Sequence, residues 1–146
     1  MTRNRSVAAI LVLIAGVLLE ATPASATGPC AFNRLDGETI QHFSRRRIVC
    51  AVERFGPVPG GTLRAICIAK RESGLDPAAT SEPTGEYRGL YQHDRDLWPA
   101  RYEKYTAPVW ELSPSALNGR TNAIVTIRMV ADLGTWRQAG WPPKDC

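Results

Sequence analysis

The chain has no Cys-x-x-Cys pair and only two histidines, His42 and His93, which is too little for a zinc site of the usual ligand spacing. No metal or organic cofactor is implied. After residues 7–19 there is no further long hydrophobic run, and that run of 13 residues falls short of the roughly 20 a membrane-crossing helix needs. No stretch of useful length alternates polar with apolar residues, and no internal repeat or low-complexity tract occurs, which leaves a mainly α-helical domain as the fold class. A large excess of one sign of charge is absent as well, with 18 basic and 14 acidic residues. The only basic cluster, Arg45-Arg46-Arg47, comes without interleaved aromatic residues, so it reads as a solvated helix face and excludes a nucleic-acid partner.

What is present begins with a secretory pattern. Arg3 and Arg5 supply a charged start, residues 7–19 the apolar core, and Ala24-Ser25-Ala26 a small-residue cleavage pattern, so residues 1–26 read as a signal peptide and the mature chain begins near Thr27. The expected product is exported, to the cell envelope or beyond, with no membrane span. It has 120 residues, enough for one domain with a modest core. Without Arg3, Arg5 and Glu20 it carries 16 basic and 13 acidic residues, a net charge of +3. That mild excess favours residence on an anionic wall, and with no strongly basic amphipathic helix it gives poor support to a membrane-active peptide. Cys30, Cys50, Cys67 and Cys146 all fall in the mature part, and an even count in a small exported chain reads as two disulfides. Three pairings are open. The expected one joins Cys30 to Cys50, stapling the N-terminal segment, and Cys67 to Cys146, tying the C-terminus to a central helix.

Residues 36–55 carry Ile40, Phe43, Ile48, Val52 and Phe55 at spacings of three to five, which predicts an amphipathic helix with Asp36 as its cap and Gly56 as its stop. A loop rich in proline and glycine follows. Thr62 is the expected cap of a second helix, with Leu63, Ile66 and Cys67 on one face and Gly74 as a left-handed terminator. Residues 76–88 read as a loop broken by a short hairpin, and residues 90–105 are ambiguous because Pro99 interrupts them. Helical spacing returns over residues 118–133 with Ile124, Ile127, Met129, Val130 and Leu133, and Gly134 ends it.

The chemistry-bearing residue is Glu72. A carboxylate in the last turn of a helix sits near the negative end of the helix dipole, and burial against Ile68 and Leu75 would act in the same direction, keeping the group protonated as a general acid. Glycosidic cleavage needs such an acid to protonate the leaving oxygen while the sugar develops oxocarbenium character.

Glu72-Ser73-Gly74 with Pro77 and Ala78 after it, then Gly89-Leu90-Tyr91-Gln92, then Asn122-Ala123 on a later helix and finally Trp136 and Trp141, resemble the lysozyme-like lytic transglycosylases, the group of soluble lytic transglycosylases and goose-type lysozymes. With Cys67 just before the acid and a terminal cysteine, the chain is similar to short secreted actinobacterial forms akin to resuscitation-promoting factors. The resemblance runs from about Thr62 to Trp141. It implies a lysozyme-like single domain over residues 62–146. Residues 27–61 lie outside the resemblance and read as a helical extension, whose helix over residues 36–55 is expected to cover one face of that core. It implies a monomer that acts on peptidoglycan glycan strands, cutting between N-acetylmuramic acid and N-acetylglucosamine. Glu72 would be the acid and then the base. Ser73 would orient it, Gly89 would let backbone approach a sugar, Tyr91 and Gln92 would contact the sugar, and Asn122 would face the cleft. Where the family carries a tyrosine-rich segment, this chain has Ile124, Val125 and Ile127. A hydrolase that inverts needs a second carboxylate to activate water. Glu86, Asp94 and Asp96 are the candidates, and without one the substrate's own N-acetyl group must assist, giving an anhydro product.

Overall fold

The computed structural model describes residues 27–142 and 144–146; the expected signal peptide lies outside the described residues. Four helices dominate: α1 (Ile40–Phe55), α2 (Gly61–Ser73), α3 (Trp98–Tyr105) and α4 (Gly119–Leu133). Between α2 and α3 lies a small antiparallel hairpin, β1 (Tyr87–Arg88) and β2 (His93–Asp94), and a single 3₁₀ turn, Pro108–Trp110, precedes α4.

The helix α4 is the axis of the molecule because its sequence is apolar around most of its circumference. Residues 121–127 and 129–130 are all buried, the pattern of a helix surrounded by protein. It packs against α1 on one side and α3 on another, while α2 packs on α1. Asn118 caps it, its Oδ1 accepting from the N–H groups of Arg120 and Thr121 at 3.1 Å each, and Gly134 ends it in the left-handed conformation. From α1, Phe43, Ile48 and Ala51 enter the core at helical spacing, so residues 27–61 share the core with the remainder of the chain.

Three local expectations are corrected. The cap of α1 is Thr39, whose Oγ1 accepts the His42 N–H at 3.2 Å. Asp36 precedes it in a turn whose Glu38 reaches back to the Leu35 N–H and forward to Arg46. The second helix has no side-chain cap at all. Gly60, at φ 76°, turns the chain straight into it, two residues ahead of the expected Thr62. Its buried face is Ala65, Ile68 and Ala69, while Leu63 on the opposite face is 83% exposed. Two alanines make that buried stripe short and quiet in sequence; of the expected apolar face Ile66 packs partly against the core, and Leu63 is the member that points away.

Both expected disulfides form, with Cα–Cα separations of 5.8 Å for Cys30–Cys50 and 5.7 Å for Cys67–Cys146. Bonds of this kind persist outside the reducing cytoplasm. No helix among the described residues is long and apolar enough to cross a membrane.

Candidate functional site

Gly74 at φ 65° ends α2 with its N–H on the Lys70 carbonyl at 2.9 Å, and this places Glu72 in the last turn. Its side chain, 24% exposed, lines an open cleft of about 390 Å³ together with Arg71, Tyr87, Gln92, Gly140, Trp141 and Pro142. Tyr87, Gln92, Gly140 and Trp141 also border an adjoining lobe of about 240 Å³, which Asp94, Leu97, Ala139 and Arg101 complete. Together these make one groove running from the end of α2, past the hairpin, to the start of α3.

The carboxylate does not occupy the apolar niche expected for it. Ile68 and Leu75 face the core, and the nearest group to Glu72 is a guanidinium: Arg71 donates from Nε and Nη2 to Oε1 at 3.0 and 2.6 Å. Arg71 also donates from Nη1 to the carbonyls of Pro142 and Lys144 at 3.0 and 2.8 Å. The same segment is anchored by the Cys67–Cys146 disulfide and by Arg64 Nε on the Cys146 carbonyl at 3.1 Å. The C-terminal strap, the groove wall and the orientation of Glu72 are thus one assembly. Oε2 of Glu72 accepts no hydrogen bond from the described residues and is the atom free to meet a ligand.

The other motif residues converge on the turn between the two strands, and most of them do so from inside the protein. Ser73 Oγ lies 2.8 Å from the Leu90 carbonyl and 3.1 Å from that of Ala69, so its single proton ties the end of α2 to the turn. Asn122, fully buried, accepts the Tyr91 N–H on Oδ1 at 3.1 Å and donates from Nδ2 to the Ala116 carbonyl at 2.8 Å. Tyr91 is also fully buried, its hydroxyl on the Ala65 carbonyl at 3.0 Å, and burial pushes its phenol well above the ordinary range. Gly89, at φ 78°, makes the close approach expected of it, but to protein: a Cβ there would run into the Ala116 carbonyl and the Asn122 amide. Trp141 donates from Nε1 to the Tyr91 carbonyl at 2.7 Å while bordering the groove, and Trp136 is core. Tyr91, Asn122 and Gly89 are therefore corrected from ligand contacts to the internal clamp that fixes the turn.

Gln92 is the member of the turn that reaches the groove. It sits at φ 50°, and its Nε2 donates to the carbonyls of Ala79 and Gly89 at 3.1 and 2.9 Å. That leaves Oε1 as its unused acceptor among the described residues. Of the three candidates for a second carboxylate, only Asp94 borders the groove. Its Oδ1 takes the N–H groups of Asp96 and Leu97 at 2.8 and 3.1 Å, which launches α3. Glu86 is exposed and is not among the residues lining the groove, and Asp96 is 82% exposed and pairs with Arg95.

His93, fully buried between Trp98 and Trp141, is a fixed neutral group. Thr126 Oγ1 gives its proton to the Asn122 carbonyl at 2.8 Å, so it must accept from His93 Nε2 at 2.7 Å, and His93 Nδ1 then accepts from Arg101 Nη1 at 3.1 Å. Desolvation, helped by the Arg101 charge, holds its pKa well below the ordinary 6.5.

Sequence reasoning missed Arg71, Arg101 and Tyr87. Arg71 is adjacent to Glu72, but its grip on Pro142 spans 71 residues and leaves no local signal. Set against protein-family models, curated proteins and solved structures, the chain matches none of them.

Proposed function

We propose that the groove binds a β-linked glycan strand of bacterial peptidoglycan and cleaves it, in an exported, monomeric, lysozyme-like domain with Glu72 as its single acid and base. The observation that carries this reading is the position of Glu72: in the last turn of α2, half-shielded, with Oε2 free toward a groove that continues into a second lobe. A groove with two contiguous lobes suits an extended polymer better than a compact metabolite. Tyr87 and Trp141 offer aromatic surface for sugar faces, and Gln92 Oε1 offers an acceptor for an amide or hydroxyl.

In this mechanism Oε2 of protonated Glu72 gives its proton to the glycosidic oxygen, and the bond from that oxygen to the anomeric carbon breaks as oxocarbenium character develops. The carboxylate then takes back a proton. If it comes from the 6-hydroxyl of the cleaved sugar, whose oxygen closes onto the anomeric carbon, the product is an anhydro sugar. If instead a water on the opposite face adds its oxygen to the anomeric carbon, its proton passes to Asp94, Glu72 regains its own proton from solvent, and the product has a hydrated reducing end. Mass spectrometry of the fragments released from purified peptidoglycan separates the two by the mass of one water. Release of no fragments by a folded, oxidised protein contradicts the enzymatic reading.

A second reading, a wall-binding domain without catalysis, draws on the Arg71 pair. A guanidinium already holds one oxygen of Glu72, as it would in a carboxylate serving only to fix the C-terminal strap. Retention on insoluble wall with no release of fragments is the result that favours it.

A further inference from the structure

Arg101 is the unspent charge of the groove. It is half-buried in the second lobe, and the single hydrogen bond of its guanidinium among the described residues runs from Nη1 to Nδ1 of neutral His93 at 3.1 Å. It makes no salt bridge among the described residues. Asp94 shares the lobe outside salt-bridge range, with Oδ1 already committed to the N–H groups that start α3. The guanidinium cannot swing away to find a partner without breaking the chain from Arg101 through His93 and Thr126 to the Asn122 carbonyl, the last two links of which are buried. A fixed, partly desolvated guanidinium with most of its five donors unused, bordering a cavity, is built to receive an anion. Desolvation also lowers the pKa of Arg101, with Asp94 and Tyr105 opposing that effect, so its charge is only partly compensated from within the protein.

We propose that Arg101 is the receptor for a carboxylate carried by the ligand that fills the groove, so that the second lobe selects an acidic glycan over a neutral one. The planar, two-oxygen shape of a carboxylate matches the guanidinium fork, and Asp94 in the same lobe disfavours a group of higher charge. This rests on the reading of the groove as a glycan site. Two carboxylates of a peptidoglycan strand have the required chemistry: the one on the ether-linked lactyl arm of a peptide-free muramic sugar, and the one on a stem peptide where that arm is substituted.

The test is calorimetric binding to the oxidised Glu72→Gln protein, with three tetrasaccharides as probes: a neutral N-acetylglucosamine oligomer, an alternating muramic oligomer without peptide, and the same oligomer with peptide stems. One muramic ligand should bind about tenfold more tightly than the neutral one, as expected for a single charge-assisted pair in a half-exposed site. Which of the two does so identifies the source of the carboxylate. Raising the salt from about 0.05 to about 0.5 M should erode that preference without weakening the neutral ligand. Arg101→Gln should abolish the preference, so that the muramic and neutral ligands bind that variant equally, while Arg101→Lys keeps part of it through its point charge. Equal binding of all three probes to the Glu72→Gln protein overturns the receptor while leaving the glycan groove standing. Failure of all three to bind overturns both. A preference that survives in a folded Arg101→Gln protein, or that is indifferent to salt, also overturns it.

Discussion

Asn122→Ala separates two accounts of the same residue. If Asn122 served the ligand, its loss would weaken binding and leave the fold intact. The structure instead puts it at zero exposure, holding the Tyr91 N–H at 3.1 Å and the Ala116 carbonyl at 2.8 Å, with the Arg88 carbonyl at 3.4 Å. Removing the amide strands two buried backbone groups. At about 1–3 kcal/mol for each unsatisfied group, and with a small void added, the expected loss is about 4 kcal/mol. That is a large share of the roughly 5–15 kcal/mol by which a domain of this size is stable. It should appear as a drop in Tm of about 15 °C and as a lower urea midpoint with unchanged slope. Urea unfolding followed by circular dichroism, with disulfides intact, is the assay. A loss below about 1 kcal/mol would refute the clamp, most clearly if glycan binding vanished at the same time.

The two disulfides should differ in a predictable order. Chain entropy alone assigns about 3.3 kcal/mol to Cys30–Cys50, separation 20, and about 4.5 kcal/mol to Cys67–Cys146, separation 79. Paired Cys→Ser variants in denaturant test that order, and only the second pair should also disturb the groove, because it anchors the strap that Arg71 holds. His93 predicts a pH dependence. Its folded pKa lies below the unfolded value of 6.5, so below that value the unfolded chain binds a proton the native state refuses. Stability is therefore full above about pH 7 and falls as pH drops through 6.5 toward 5, approaching about 1.4 kcal/mol per pH unit. His93→Gln should flatten that slope whatever its own stability, and an unchanged slope would contradict the assignment.

The parts of the fold legible in sequence are those whose signals are local and long. The span of α4 follows from an apolar pattern over four turns between Asn118 and Gly134, and α1 from Phe43, Ile48 and their neighbours. Pro99 obscured α3, yet it stands in the helix's first turn, where a missing N–H costs nothing. The hairpin lies at residues 87–94, mostly past the 76–88 loop in which it was expected, because a ladder two residues long on each side leaves no alternation to locate it. In the groove, Glu72 was legible because a glycine stop marks the helix end. Tyr91 and Asn122 misled because a polar atom that serves a buried backbone group looks, in sequence, the same as one that serves a ligand. Arg71 and Arg101 acquire their roles only through contacts with distant or buried partners, for which neighbouring residues give no cue.

The central claim, that Glu72 acts chemically on a glycan held in the groove, is tested most directly by comparing wild-type protein with Glu72→Gln for both glycan binding and fragment release. Gln keeps the size of the side chain and one oxygen for Arg71 but cannot deliver the proton. The account predicts retained binding with release reduced by at least about 10²-fold, the contribution of general acid catalysis. Undiminished release by Glu72→Gln would contradict it.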